Sequence, residues 1–275
     1  MICRESGIIR AINWGCIIIK TMKKILFLIH DLSYGGAEKV LVNLANNLDK
    51  TNLIYDTLSN LSYDELKNIL CCNDDIAELN FERYKNMNTS NLESNSANLT
   101  PAILAYDGIQ YKYMSPNTLS DEELDYINNH LKILSGFYGV LRPFDGVVPY
   151  RLEMQAKLKV NNSKNLYDFW GDTLYKEVTK DSNVILNLAS KEYSKAIEKY
   201  LSKDDTLVTC IFGTLKDSKV KVKATEAKMA RGLMTRYITK NRIDNIQDIK
   251  NFSELDFKYS EEHSTENEFV FIKCI

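Results

Sequence analysis

The chain has 275 residues, 44% of them hydrophobic, so it is long enough to bury one large core or two small ones. Its formal net charge of −2 excludes a global field that attracts nucleic acid or membrane, so any basic surface must be local. The six cysteines show no C-x-x-C spacing and the three histidines lie far apart, which argues against a His/Cys zinc site and favours reduced thiols in a cytosol.

The N-terminal residues divide at Met22. Residues 11–19 are apolar but too few to span a bilayer, and no A-x-A cleavage pattern follows them. A cleaner pattern begins at Met22, and we expect residues 1–21 to be a non-native leader.

The next segment has the pattern of a strand, a glycine turn and a helix. Residues 25–29 are a continuous apolar run typical of a buried strand, and Gly-Gly-Ala-Glu-Lys follows at residues 35–39. Residues 22–50 thereby resemble the first β-α unit of retaining GT-B glycosyltransferases. Nothing downstream supplies the second, donor-binding domain of such an enzyme. We therefore favour a unit that only donates a strand and a helix to another sheet, with sugar-nucleotide binding by residues 31–39 as the weakest functional hypothesis.

Two capping boxes mark helix starts further along the chain. Ser62 precedes Glu65 by three residues and Ser120 precedes Glu123 in the same way. The intervening residues 86–100 are rich in Asn, Ser and Thr and predict a solvated loop.

Residues 131–154 hold two of the four prolines and three of the eleven glycines, which indicates a fixed backbone path. Helical spacing runs into Gly136 and Gly139, and Arg142 and Arg151 flank the turn. These features predict a helix followed by a hairpin whose backbone N–H groups face an anion such as phosphate. The alternative is a helix stop followed by a structural corner, which the local turn signals favour.

A second candidate site follows a predicted strand at residues 183–190. Ligands of open α/β sheets bind at the carboxyl ends of strands, which makes Asn187, Ser190 and Lys191 candidates, with simple helix capping as the alternative. Residues 207–212 and 220–223 then predict a β-hairpin around residues 213–217.

The segment from 216 to 242 carries nine basic residues against two acidic ones, and the residues after it are acidic. A helix predicted near residues 224–241 places Lys228 and Arg231 on one flank of its apolar stripe and Arg236 on the other. The near-neutral total charge therefore conceals a local basic surface, although a basic helix flank alone is usually only solvated.

Five long runs and one short closing run form an ordered set of motifs. The long runs are Leu-Ser-Gly-Phe-Tyr-Gly-Val-Leu-Arg-Pro (134–143), Pro-Tyr-Arg-Leu-Glu-Met (149–154), Leu-Tyr-Asp-Phe-Trp-Gly-Asp (166–172), Asn-Leu-Ala-Ser-Lys-Glu-Tyr (187–193) and Lys-Met-Ala-Arg-Gly-Leu-Met-Thr-Arg (228–236). The closing run is Asn-Glu-Phe-Val-Phe (267–271). Together these runs resemble the YaaA family of peroxide-stress proteins.

The resemblance implies a single α+β domain, the family's "cantaloupe" fold, with a mixed sheet, helices, a basic cleft and a helix-hairpin-helix-like element. The hairpin corresponds to residues 134–142, although its Gly-Phe-Tyr-Gly turn is one residue longer than the usual Gly-x-Gly. Family members begin with a strand that runs into Ser-Pro-Ala-Lys, and here residues 22–52 stand in that place before a YaaA-like domain at 53–275. Either a gene fusion or a sequence-assembly artefact would explain this difference, and residues 22–50 should either occupy the vacated strand-helix slot or pack badly.

The resemblance also implies a function. We expect a bacterial, cytoplasmic monomer that binds duplex or branched DNA with low sequence specificity and limits damage when peroxide meets intracellular iron, without membrane, metal or cofactor. The predicted DNA contacts are Ser135, Gly136, Tyr138, Gly139, Arg142, Arg151, Lys228, Arg231 and Arg236.

The alternative is an uncharacterised enzyme that uses the same cleft. Family membership establishes no reaction, so a role without catalysis is favoured. The carboxylate, amide, hydroxyl and amine groups available for acid/base chemistry are Glu153, Asp172, Asn187, Ser190 and Lys191.

Overall fold

An eight-stranded mixed sheet organises the fold in the computed structural model, which describes residues 25–28, 31–32, 47–87 and 99–274. Two further pairs of short strands lie outside this sheet, β2 with β4 and β3 with β7. The described strands are β1 (Ile25–Leu28), β2 (Asp31–Leu32), β3 (Thr100–Pro101), β4 (Tyr106–Asp107), β5 (Leu131–Ser135), β6 (Gly139–Leu141), β7 (Gly146–Val147), β8 (Val184–Asn187), β9 (Thr206–Lys216), β10 (Lys219–Lys221), β11 (Phe257–Tyr259) and β12 (Glu268–Lys273).

Parallel pairing joins the middle of the sheet in the order β12, β9, β8, β1 and β5. Strands β11, β6 and β10 add to it by antiparallel pairing. Strand β1 lies between β8 and β5, with Ile25 opposite both Leu131 and Leu186. The strand predicted at residues 25–29 is therefore confirmed over Ile25–Leu28. The leader 1–21 and, apart from β2, the segment 31–39 lie outside the described residues.

Helices cover the sheet, and their starts follow the capping signals. Ser62 and Ser120 each form the predicted capping box, in which the hydroxyl accepts the N–H of Glu65 or Glu123 and that carboxylate accepts the cap N–H. The described α-helices are α1 (Leu48–Ser59), α2 (Tyr63–Leu70), α3 (Asp74–Asn86), α4 (Ala102–Ala105), α5 (Ile109–Met114), α6 (Asp121–His130), α7 (Leu166–Trp170), α8 (Thr173–Thr179), α9 (Lys191–Glu198) and α10 (Ala224–Asn241).

The prediction that a helix runs into residues 131–141 is wrong. Helix α6 ends at His130, and β5 and β6 then form an antiparallel hairpin in which Ser135 lies opposite Gly139. All five residues of β5 are buried, so its apolar residues do not alternate with exposed polar ones, and such a short run fits helix and strand spacing equally well. The helix-hairpin-helix element expected at residues 134–142 is therefore a β-hairpin.

Helix α1 runs without a break across the domain boundary predicted between residues 52 and 53. Lys50 attaches α1 to α7 and α8, since its Nζ donates to the carbonyl oxygen of Phe169 at 3.0 Å and to the hydroxyl of Thr173 at 3.0 Å. The division into a 22–52 segment and a 53–275 domain stays a prediction.

The α+β class and the single domain are confirmed, with one continuous core on the sheet. Trp170, Tyr138 and Phe212 are among its largest fully buried side chains. The four described cysteines are free thiols. In the parts of the chain described above, no helix is long and apolar enough to cross a membrane.

Candidate functional site

The turn of the β5–β6 hairpin is a buried structural corner. Ser135 Oγ accepts the backbone N–H groups of Phe137 at 3.1 Å and Tyr138 at 2.9 Å. The same oxygen lies 2.5 Å from the hydroxyl of Tyr150, and all four residues are buried. Backbone donors that would have faced a phosphate are therefore already bonded inside the protein.

Trp170 closes the hairpin from the other side. Its indole N–H donates to the carbonyl oxygen of Gly136 at 3.0 Å. Gly139 has φ +80°, and a Cβ there would lie 2.8 Å from the Trp170 ring. Only glycine satisfies both the positive φ and this close approach. Contrary to the prediction, Ser135, Gly136, Tyr138 and Gly139 lie in the core and are not placed to contact DNA.

Buried tyrosines surround this corner. The hydroxyls of Tyr106 and Tyr150 are 2.8 Å apart, and Tyr84 donates to the carbonyl oxygen of Arg151 at 2.7 Å. The hydroxyl of Tyr138 accepts the N–H of Val148 at 3.1 Å. Burial raises the pKa of Tyr84 and Tyr106 well above the usual value, so these phenols stay neutral and act as hydrogen-bonding groups that fix the backbone.

Arg142 lies beside a buried carboxylate. Its backbone N–H donates to Asp145 Oδ2 at 2.8 Å, and Asp145 is 1% exposed. Burial raises the pKa of Asp145 to about 6, against the opposing effects of the Arg142 N–H and the charges of Arg142 and Lys132. Burial, together with Arg142, lowers the pKa of the Lys132 amine. Arg142 thus belongs to an internal charge cluster, which does not support a phosphate contact.

Asp145 gives a testable pH dependence. Because its folded-state pKa of about 6 exceeds the unfolded value near 4, the folded protein keeps a proton that the unfolded chain has released. This contribution to stability is full below about pH 4 and is lost as the pH rises through about 6, by up to roughly 3 kcal/mol. We expect an Asp145→Asn variant to lack that loss, so its unfolding free energy relative to wild type should rise between pH 4 and 7 in urea titrations.

The control for this experiment is Asp56→Asn, which removes one negative charge from an exposed position of α1. A wild-type minus Asp145→Asn difference that stays constant across the pH range would contradict the assignment.

Arg151 also has partners inside the protein. Its Nη2 lies 3.0 Å from Glu153 Oε1, and Gln155 Nε2 donates to Glu153 Oε2 at 3.3 Å. The backbone N–H of Gln155 donates to Glu192, whose pKa burial raises. Arg151 is mostly buried, so the pair orders the chain between β7 and α7 and does not present a free cation.

The residues proposed for acid/base chemistry have separate partners. Asp172 pairs with Lys176 at 2.8 Å, and the exposed Lys191 pairs with Glu198 at 2.5 Å. Asn187 ends β8, where its amide donates to Thr209 at 3.1 Å and its oxygen accepts the N–H of Ala189. Ser190 is the N-cap of α9, without a side-chain capping bond. These contacts do not assemble a catalytic cluster.

Helix α10 is confirmed, but it presents fewer free cations than predicted. Arg236 Nη1 donates to the carbonyl oxygens of Met114 and Ser115 and to the hydroxyl of Thr118, at 2.7 to 3.1 Å. Arg231 lies beside Cys210 in the interior, and burial lowers the pKa of its guanidinium. Lys228 is half-buried on the same helix. Arg231 is half-buried with its Nε enclosed, so it offers less cationic surface than predicted.

The hairpin of β9 and β10 instead presents a row of cations. Lys219 lies opposite Lys216, and Lys221 lies opposite Thr214. Because side chains alternate along a strand, Lys216, Lys219 and Lys221 lie on one face of this ribbon, and all three are exposed. We call these three residues the lysine face.

The lysine face is electrostatically unfavourable on its own. Like charges directly opposite each other destabilise a strand pair, as Lys216 and Lys219 do here. Within the described residues the three lysines have no ion-pair partner, whereas Lys223 pairs with Glu226 at 3.2 Å. Such an arrangement favours an anionic partner from outside the chain.

The lysine face could not be predicted from the sequence without the position of the turn, which sets the register of β9 against β10. The β-hairpin was predicted and is confirmed, but its turn was placed at residues 213–217. The turn is at Asp217 and Ser218, whose φ values are +53° and +58°. Asp is among the residues enriched at positive φ, and a two-residue turn there would have given the register that aligns the lysines.

Among the residues that the structure describes, no three His, Cys, Asp or Glu side chains are grouped to hold a metal ion.

Comparison with known proteins places this chain among peroxide-stress proteins. It matches the family described as peroxide stress protein YaaA over residues 20–263, a range that includes the segment resembling a glycosyltransferase unit. It is 52% identical over 233 residues to a UPF0246 protein of Desulfitobacterium hafniense, covering 85% of this chain and 90% of the relative. A UPF0246 protein of Lachnoclostridium phytofermentans is 51% identical over 226 residues, covering 82% and 86%. One from Pediococcus pentosaceus is 49% identical over 226 residues, covering 82% and 88%.

Proposed function

Because the chain belongs to the YaaA family of peroxide stress proteins, we propose that it binds DNA through the lysine face and protects it in the cytosol when peroxide meets iron. The observation that carries the proposal is the exposed, unpaired row of Lys216, Lys219 and Lys221. Free thiols at the described cysteines are compatible with a reducing cytosol.

The shape of the ribbon suits a duplex. A two-stranded antiparallel ribbon fits the major groove of B-DNA, and lysines bind phosphates as point charges. Gly213 begins the ribbon, where β9 leaves its pairing with β12. A Cβ at Gly213 would lie 2.6 Å from Val220 Cγ1, so glycine is needed for the two strands to pack there. Contacts of this kind are made to the backbone and carry little sequence preference.

Protection follows from counterion release. Lysines that neutralise phosphates displace the cations condensed on the duplex. Iron(II) held at those phosphates would be displaced in the same way, and radicals formed from peroxide would then arise further from the DNA. The proposed role needs no catalytic residue and no bound metal.

A Lys219→Ala/Lys221→Ala variant tests the interface. Each phosphate contact contributes about 0.9 to the slope of log K against log salt, so the slope should become shallower by nearly 2. Affinity for duplex DNA at low salt should fall by about tenfold or more. Fluorescence anisotropy across a salt series, with duplex and branched DNA of several sequences, measures both quantities.

The matched control is Lys180→Ala/Lys203→Ala, which removes two exposed lysines shortly before β8 and β9, at the end of β9 opposite the ribbon. It should bind like the wild type. Unchanged affinity and slope in the Lys219→Ala/Lys221→Ala variant would refute DNA binding through the lysine face.

A further inference from the structure

A second basic feature lies between α5 and α10, where Arg236 is about 20 Å along α10 from the N-cap residue Lys223, which follows the ribbon. It is a groove of about 390 Å³, within the size range of small-molecule sites. Its lining holds two cations and no carboxylate. The lining residues are Lys112, Tyr113, Ser115, Thr118, Leu233 and Arg236.

Arg236 is held in one orientation at this groove. A guanidinium has five N–H donors, and Arg236 uses only Nη1 to bond Met114, Ser115 and Thr118. In the described part of the chain, Nε and Nη2 have no hydrogen-bond partner. An arginine fixed along one edge, with its other donors unused, is preorganised for an oxyanion because little side-chain freedom remains to be lost on binding.

The turn after α5 supports the same geometry. Ser115 has φ +50° and ends α5, and its hydroxyl donates to the carbonyl oxygen of Lys112 at 2.7 Å. Thr118 Oγ1 accepts from Arg236 and donates to the carbonyl oxygen of Ser115 at 2.9 Å. The Lys112 amine lies 3.4 Å from Asp107 and is 68% exposed, so it can turn towards an anion in the groove.

The remaining wall is apolar. Tyr113 and Leu233 line the groove beside the two cations, and both are half-buried. An aromatic ring and an aliphatic side chain suit a planar base, since base–aromatic stacking is sequence-tolerant. A phosphate monoester carries a charge of about −1.5 to −2, more than one internal phosphodiester, and so matches two cations.

We propose that this groove binds a nucleoside phosphate, with the terminal phosphate on Arg236 and Lys112 and the base against Tyr113 and Leu233. The same chemistry is present in a free nucleotide and at the 5′-phosphorylated end of a DNA strand. The site is distinct from the lysine face, and neither assignment depends on the other.

Calorimetry with the full chain tests the site. The probes are dAMP, inorganic phosphate, and a tetranucleotide with and without a 5′-phosphate. We expect dAMP or the phosphorylated tetranucleotide to bind in the millimolar range or tighter, and the unphosphorylated strand to bind at least tenfold more weakly. Whichever of the two phosphorylated probes binds more tightly identifies the source of the ligand.

Single substitutions test separately the residues proposed to bind the phosphate and those proposed to bind the base. Lys112→Ala should weaken dAMP about tenfold, and Tyr113→Leu should weaken dAMP without changing the weak binding of inorganic phosphate. Arg236→Lys should also lose affinity, with thermal unfolding measured alongside because Arg236 anchors the turn after α5. Lys219→Ala/Lys221→Ala should bind dAMP like the wild type, which separates this site from the proposed duplex interface.

No heat of binding for either phosphorylated probe up to about 10 mM would overturn the proposal. Binding that is unaffected by both Lys112→Ala and Tyr113→Leu would overturn it as well.

Discussion

A Trp170→Ala variant should lose about 3 to 5 kcal/mol of unfolding free energy, the range for truncating a large buried aromatic side chain. Trp170 is fully buried and lies against Gly139 on the hairpin, while its indole N–H bonds Gly136. Lys50 Nζ lies 5.5 Å from the centre of the Trp170 ring, so the same side chain also seats α1. Truncation would open a cavity between these elements and leave a buried carbonyl oxygen without its donor.

Urea unfolding followed by tyrosine fluorescence or circular dichroism measures this loss. Phe169→Ala is the matched control, because the neighbouring ring is only half-buried and should cost clearly less. Trp170→Phe separates the hydrogen bond from most of the packing, since it removes the indole N–H that bonds Gly136 and keeps a buried aromatic ring. A loss below about 1 kcal/mol in Trp170→Ala would show that Trp170 does not hold the hairpin.

A Gly232→Ala variant should lose about 2 to 3 kcal/mol of unfolding free energy. Helix propensity alone predicts the opposite, since alanine is more favourable than glycine inside a helix. Gly232 lies in α10 where α5 crosses it, and a Cβ there would be 2.1 Å from the carbonyl oxygen of Gln110 and 3.0 Å from the N of Met114. Both atoms belong to backbone, so the helices must separate. The separation should also weaken dAMP binding, because Met114 helps to orient Arg236.

Lys228 supplies the control for this sign reversal. At that position on the same helix, the alanine variant should be more stable than the glycine variant by about 1 kcal/mol. At position 232 the order should be reversed, with glycine the more stable residue. Equal or greater stability of Gly232→Ala would mean that α5 and α10 are not in close contact.

The predictions that succeeded rest on local signals. The capping boxes at Ser62 and Ser120 and the long stripe of α10 need only neighbouring residues to form, and each is where the sequence places it. Residues 131–141 failed because their conformation depends on distant partners. Strand β5 pairs with β1 on one side and β6 on the other, and that pairing overrides an ambiguous spacing.

The site residues were harder to predict for the same reason. Arg236 is adjacent in space to Ser115 and Thr118, which lie more than 100 residues earlier in the chain. Nothing in the spacing of α10 indicates that one edge of this guanidinium is occupied. Predicting the lysine face requires the register of β9 against β10. A small error in the position of the turn shifts that register and moves the lysines to the wrong face.

The place of β1 in the sheet has a consequence for the order of events during synthesis. Ile25 is translated before both of its neighbours in the sheet, Leu131 and Leu186. Strand β1 therefore cannot pair with both β5 and β8 until most of the polypeptide has been translated. Until then its backbone N–H and C=O groups lack their partners in the sheet. An early strand that waits for late partners makes folding slow and exposes an edge to aggregation. Translation speed and chaperone supply should thus govern the yield of this protein in a cell.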